Sequence, residues 1–194
     1  MPGPPGYTLK IMRSVWAILT TLAWGLWFGG MGTLFLLVSY LFVADRATAV
    51  VAAPRMFFAF ERYQLGVAAV AILSAALWRL GANRAVITAI FVLFALTAVG
   101  TIVSATAIRP QMERLRLAGV SSGEEFQRLH KSSERLYSAQ AVLLLIAGLV
   151  LPTALKGQTA DARHAHPTGS TAPATTAPPP RTEPSVAPPS APPV

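Results

Sequence analysis

Arg46, Arg55, Glu61, Arg62, Arg109, His130, Ser133 and Glu134 are the residues whose types and positions could do chemistry together. A histidine among arginines and carboxylates suits a proton-linked or an anion-binding site, because imidazole titrates near neutrality and guanidinium offers a fixed fork of donors. Phe126, Leu129, His130, Ser133 and Tyr137 fall on one face of a helix, which would aim His130 and Ser133 inward. Glu134 stands four residues beyond His130 and could orient it. A second use of the same residues is structural: a hydrogen-bonded clamp tying the last helix to the connection after the first. Ion-pair networks gather such groups without any ligand.

Several chemistries are excluded. The chain has no Cys, which removes disulfides, thiolate metal sites, cysteine nucleophiles and iron–sulfur ligation. No Ser/His/Asp spacing, phosphate-binding loop or zincin motif occurs, so an enzyme is not expected. Haem ligation inside a bundle would need a His within an apolar run, and none holds one. No cofactor or metal is expected. His164 and His166 would make only an unselective metal site, and a solvated linker accounts for them.

The elements that must position the polar residues are apolar to an unusual degree. Of the 194 residues 53% are hydrophobic and 12% charged, about half the charge of an ordinary soluble domain. No charged residue interrupts Ser14 to Ala44, Tyr63 to Trp78, Ala85 to Ile108 or Leu136 to Leu155. A bilayer core about 30 Å thick needs roughly 20 apolar residues of helix. Three runs meet that length, and the second is extended by Arg62 and Arg79, whose long side chains can reach the headgroups. A soluble bundle would need amphipathic stripes, whereas Val67 to Leu77 and Val86 to Val99 are apolar on every face. The first run is about twice a signal-peptide core and reads as a retained helix. The net charge of +8 flanks the runs, so membrane topology explains it better than nucleic acid does.

The expected fold is therefore all-α: a four-helix transmembrane bundle over 11–155, with helices about 12–43, 55–80, 84–108 and 122–155. Residues 1–10 and the Pro/Ala/Thr-rich tail 156–194 are expected to be disordered, since neither can bury enough surface to offset ordering. Pro54 suits the opening of the second helix, with Ala47 to Ala53 as a connection. Arg79 to Arg84 forms a tight hairpin, and Pro110 should stop or kink the third helix. Ser122 and Glu125 have capping-box spacing for the fourth. Gly25, Gly29 and Thr33 share one face of the first helix, a seam for close packing that Gly100 and Ser104 on the third would match. Trp24 and Trp27 would flank that seam.

The order of these features resembles the transmembrane protein 205-like family, a domain of unknown function. The shared features are Trp24–Gly25 through Gly29–Gly30, the aromatic stretch Met56 to Phe60, Arg109–Pro110, and Phe126 with His130 and Ser133 before the last span. The resemblance covers about Ser14 to Leu155 and implies a four-span membrane protein without an established biochemical activity. By position, Arg109, Pro110, His130 and Ser133 take the family's recurrent polar places, while Tyr137 stands where relatives carry Asn.

The expectation is an integral membrane protein, multi-pass, in the cell or inner membrane if bacterial, with a structural, accessory or binding role. The alternative is a small transporter or channel-like module holding an ion at the Arg/His/acid cluster. The second and fourth spans offer only Ser74 and Gln140 between their ends, which is little to line a pore. The partners expected are the lipid bilayer and either another copy of the chain or a second membrane protein, with no nucleic acid. The Arg79–Arg84 hairpin carries two arginines and no acid, which places both termini in the cytoplasm.

Overall fold

The computed structural model describes residues 5–81 and 84–164, with side chains over 11–81 and 84–157. Every element among them is helical: α1 (Pro5–Ala44), α2 (Arg46–Gly81), α3 (Ala85–Val103), a π-helical turn (Ser104–Ile108), α4 (Arg109–Leu117) and α5 (Glu124–His164). The π-turn joins α3 to α4 without a break, so four helical rods remain, each long and apolar enough to cross a membrane. Helices answer the demand of lipid because each satisfies its own backbone groups.

Several boundaries differ from the sequence expectation. α1 begins at Pro5, and α5 continues to His164, past the start of the Pro-rich composition; residues 165–194, with His166, lie outside the described residues. α2 begins at Arg46, not near 55, and Pro54 sits inside it. Asp45 is the reason. Its Oδ1 accepts from the backbone N–H groups of Ala47 (3.0 Å) and Thr48 (3.2 Å), while Thr48 Oγ1 donates to its Oδ2 at 2.5 Å. A capped, alanine-rich start outweighs the single hydrogen bond that Pro54 removes.

Pro110 does not stop the third rod either. The Arg109 N–H donates to the Ser104 carbonyl, five residues back, so the helix widens by one residue just before the proline and runs on. The rod ends where Gly119 takes a left-handed φ of 74°. Val120 N–H then reaches Leu115 O (3.0 Å) and Gly119 N–H reaches Arg116 O (3.1 Å), the paired bonds of a glycine-closed helix end. The first helical bond of α5 is accepted by Gly123, one residue beyond the expected cap at Ser122.

α1 pairs with α2, and α3 packs between α2 and α5. Packing rests on large side chains of one helix seated on glycines of another. The Trp24 indole covers Gly148 on α5, where a methyl group would overlap the ring, and its Nε1 donates to Leu144 O at 2.7 Å. Tyr63 and Phe60 cover Gly30, with the Tyr63 hydroxyl donating to Leu26 O at 2.9 Å. Gln140 covers Gly100. The inward face of α1 is Ala17, Thr20, Ala23, Trp27, Met31 and Leu34.

The expected glycine seam is thereby overturned. Gly25, Gly29 and Thr33 are exposed on the opposite side of α1, and a Cβ at either glycine would meet nothing within 4 Å. Gly100 and Ser104 are buried as expected, but against α5 and α2 rather than α1. α1 reaches α3 through Trp27, whose ring lies on Phe94 with centroids 6.3 Å apart. Bulky tryptophans take the place of close backbone approach, and Leu22, Leu26, Phe35 and Leu36 face outward, as lipid contact requires.

Candidate anion-binding groove

The polar site grows from Glu61, the one carboxylate that the described core buries. α2 turns it inward on the stripe Glu61, Gln64, Ala68, Ala71, Ala75 and Trp78, at helical spacing. Its Oε1 accepts from Ser104 Oγ at 2.9 Å, and its Oε2 accepts from the Arg109 guanidinium. Both partners come from the π-turn and the residue that follows it. The added residue in this turn shifts the phase of everything beyond it, which is how one carboxylate is met by residues five apart. Removing one member of a buried ion pair leaves an uncompensated charge, typically a loss of about 3 kcal/mol or more.

Phe58 sits one turn earlier on α2. The guanidinium carbons of Arg62 and Arg109 lie 4.1 and 4.3 Å from its ring centroid. Outward from this ring runs an open groove of about 560 Å³ between α2 and the π-turn with α4. Arg55, Arg62, Arg109 and Arg116 line it together with Glu61 and Glu113, a formal charge of +2, and Pro54, Phe58, Leu65 and Ala105 supply its apolar surface. Arg116 is paired with Glu113 at 3.1 Å and Arg109 with Glu61, which leaves the positive excess on Arg55 and Arg62.

Four of the eight expected site residues meet here: Arg55, Glu61, Arg62 and Arg109. The others do not. Arg46 is exposed at the start of α2. His130 and Glu134 pair with each other at 3.2 Å on the outside of α5, with side chains 51% and 64% exposed, and Ser133 is half-buried beside them. His130 stacks on Phe126, the centroids 6.4 Å apart and the planes 10° from parallel. The cluster is thus centred on Glu61 and Arg109, not on His130. The inward stripe of α5 is Phe126, Leu129, Ser133, Tyr137, Gln140 and Leu144, and His130 stands at its edge, about 60° from the stripe's mean direction, where it stays exposed.

Sequence reasoning missed Phe58 as the surface that gathers two arginines, and Glu113 and Arg116 as the outer wall. It also assigned Ser104 to helix packing, where its hydroxyl serves the carboxylate. The available signal was that Glu61 and Arg62 open one uncharged run and Arg109 closes the next, two crossings apart, so they reach the same boundary. Among the described residues no three His, Asp or Glu side chains gather to hold a metal ion. What the arrangement offers chemically is charge-assisted donation to an anion, over an apolar base that repels a fully hydrated one.

Asp45, outside the membrane-spanning segments, is the group with a shifted acidity that bears on the fold. Hydrogen bonds from the Thr48 side chain and backbone hold its carboxyl below the ordinary range. Comparison with protein-family models, curated proteins and solved structures gives no match to this chain.

Proposed function

We propose that this chain is a non-enzymatic integral membrane protein, an accessory or binding protein that takes an anionic group into the groove between α2 and α4. The observation that carries this is the unbalanced charge on Arg55 and Arg62 over Phe58, at the point where two apolar spans reach water. Arginine fits this task because its fork donates two bonds to one oxyanion. The ion pair of Glu61 and Arg109 acts as a clamp that fixes the groove's walls. The order of motifs along the four spans supports reading the chain as a relative of the transmembrane protein 205-like family.

A conducting module is the second reading, favoured by Gln64, which sequence reasoning overlooked, and Gln140, both buried below the clamp. Beyond them Ala68, Ala71, Phe94, Leu144 and Ala147 close the interior with apolar surface. The Thr97 hydroxyl in that stretch is spent on Leu93 O at 2.8 Å, which leaves a hydrated ion little to coordinate it. Thermal melting of the purified protein in neutral detergent separates the readings. Anionic additives should raise the melting temperature of the parent chain more than that of Arg62→Gln. Proteoliposomes should pass anions no faster than empty vesicles. Flux abolished by Arg109→Gln would favour the conducting module instead.

A further inference from the structure

We infer that the occupant of the groove is the phosphate headgroup of an anionic phospholipid, with an acyl chain laid along the groove's inner end. This rests on the anion-binding reading above and names its ligand. The groove is graded along the membrane normal. On α2 its lining runs from Arg55 past Phe58 and Arg62 to Leu65, ten residues or about 15 Å of helix. Opposite, it runs from Arg116 and Arg109 to Ala105. Charge ends at Arg62 and Arg109, and beyond them Leu65 and Ala105 belong to the stretches that enter the charge-free runs.

A free anion would use only the upper half of such a surface, whereas an amphiphile matches both halves at once. Phe58 and Leu65 are 44% and 39% exposed, so the groove opens sideways, toward the space lipid occupies, and not into the bundle. Arg62 and Arg109 are like charges held against one ring. Glu61 neutralises Arg109, but the ring gives Arg62 no counter-charge, and a phosphate oxygen would supply it. Basic pockets between membrane helices recognise anionic headgroups in this way, each arginine adding about 1 kcal/mol near the surface.

Native mass spectrometry of the full chain tests this, with dioctanoyl phosphatidylglycerol, dioctanoyl phosphatidylcholine and inorganic phosphate as the three probes. Phosphatidylglycerol should be retained by the parent chain, and ~thirtyfold less tightly by the Arg55→Gln/Arg62→Gln double variant, the change expected from two arginines. Arg46→Gln, which removes a charge from the same helix outside the groove, should bind like the parent. Inorganic phosphate should neither be retained nor displace the lipid. If inorganic phosphate binds as well as the lipid and displaces it, the lipid assignment falls and anion binding stands. If no anionic probe is retained, both fall. Equal losses in Arg46→Gln and in the double variant, or equal retention of phosphatidylcholine, would also overturn the assignment.

Discussion

The two halves of the bundle interior are built differently. Toward the α1–α2 joint the core holds Glu61, Gln64, Thr97, Thr101, Ser104 and Gln140; toward the hairpin it holds Ala71, Ala75, Trp78, Ile87, Ile90, Ala147 and Leu151, with Thr20 donating to Ser74 at 3.1 Å as its buried polar contact. The apolar half uses side-chain shape with that one hydrogen bond between helices, and packing of this kind is what drives helices together in lipid. The polar half gives up some of that packing for buried polar groups, of which Glu61 is paired and Gln64 is not, and it is the half that carries the π-turn and the groove. The contrast teaches that recognition is confined to one end of the bundle, where the Glu61–Arg109 pair serves stability as well.

The strongest test of this division is steric. Gly148→Ala places a methyl group in the Trp24 indole and should cost about 3 kcal/mol, near the top of the range for overpacking, measured by thermal unfolding in detergent. Gly25→Ala and Gly29→Ala should be neutral within about 0.5 kcal/mol, because nothing approaches them. Equal damage at all three would restore the glycine seam and refute the packing described. Next in size is the clamp. Glu61→Ala leaves Arg109 without its carboxylate and should destabilise by about 3 kcal/mol. Glu61→Gln, which keeps an acceptor for Ser104, should lose less.

Arg62→Gln should change stability by no more than about 0.5 kcal/mol, since its ring contact is exposed, and should weaken anion binding. A large loss of stability here would merge the two roles that the comparison separates. The smallest effect concerns the joint at Asp45. Its folded pKa lies below that of a free carboxylate, so the stability it lends is complete above the unfolded value of about 4. That contribution fades as pH falls through the lower folded value. Amide exchange at Ala47 and Thr48 should quicken at neutral pH in Asp45→Ala, and the variant should lose the parent's acid sensitivity at this joint.

Most of the architecture was legible in residue order because charge cannot enter hydrocarbon: uncharged runs bracketed by charged residues, mostly arginine, mark the spans directly. Which face of a span turns inward was not. α1 is apolar all round, so Gly25 and Gly29 looked like an interface while Trp27 and Met31 form it. Only 11% of the first span's window is buried, against 33%, 39% and 28% in the others, which leaves it little inward face to be recognised. Half of the site was legible for the same reason as the spans: Glu61, Arg62 and Arg109 stand at run boundaries, with Arg55 two turns outside. The rest depended on phase. A one-residue widening in the π-turn brings Ser104 and Arg109 to one carboxylate, and on α5 His130 stands at the edge of the stripe that holds Leu129 and Ser133, half-exposed and paired with Glu134.

The account stands on Glu61 and Arg109 locking α2 to the far end of the third rod. A double-mutant cycle with Glu61→Gln and Arg109→Gln, read by unfolding in detergent, measures that lock directly. The expected coupling is about 1–3 kcal/mol, with the double variant closer to the parent than the sum of the single losses. Strictly additive losses would mean the two side chains do not meet, and the groove described between them would not exist.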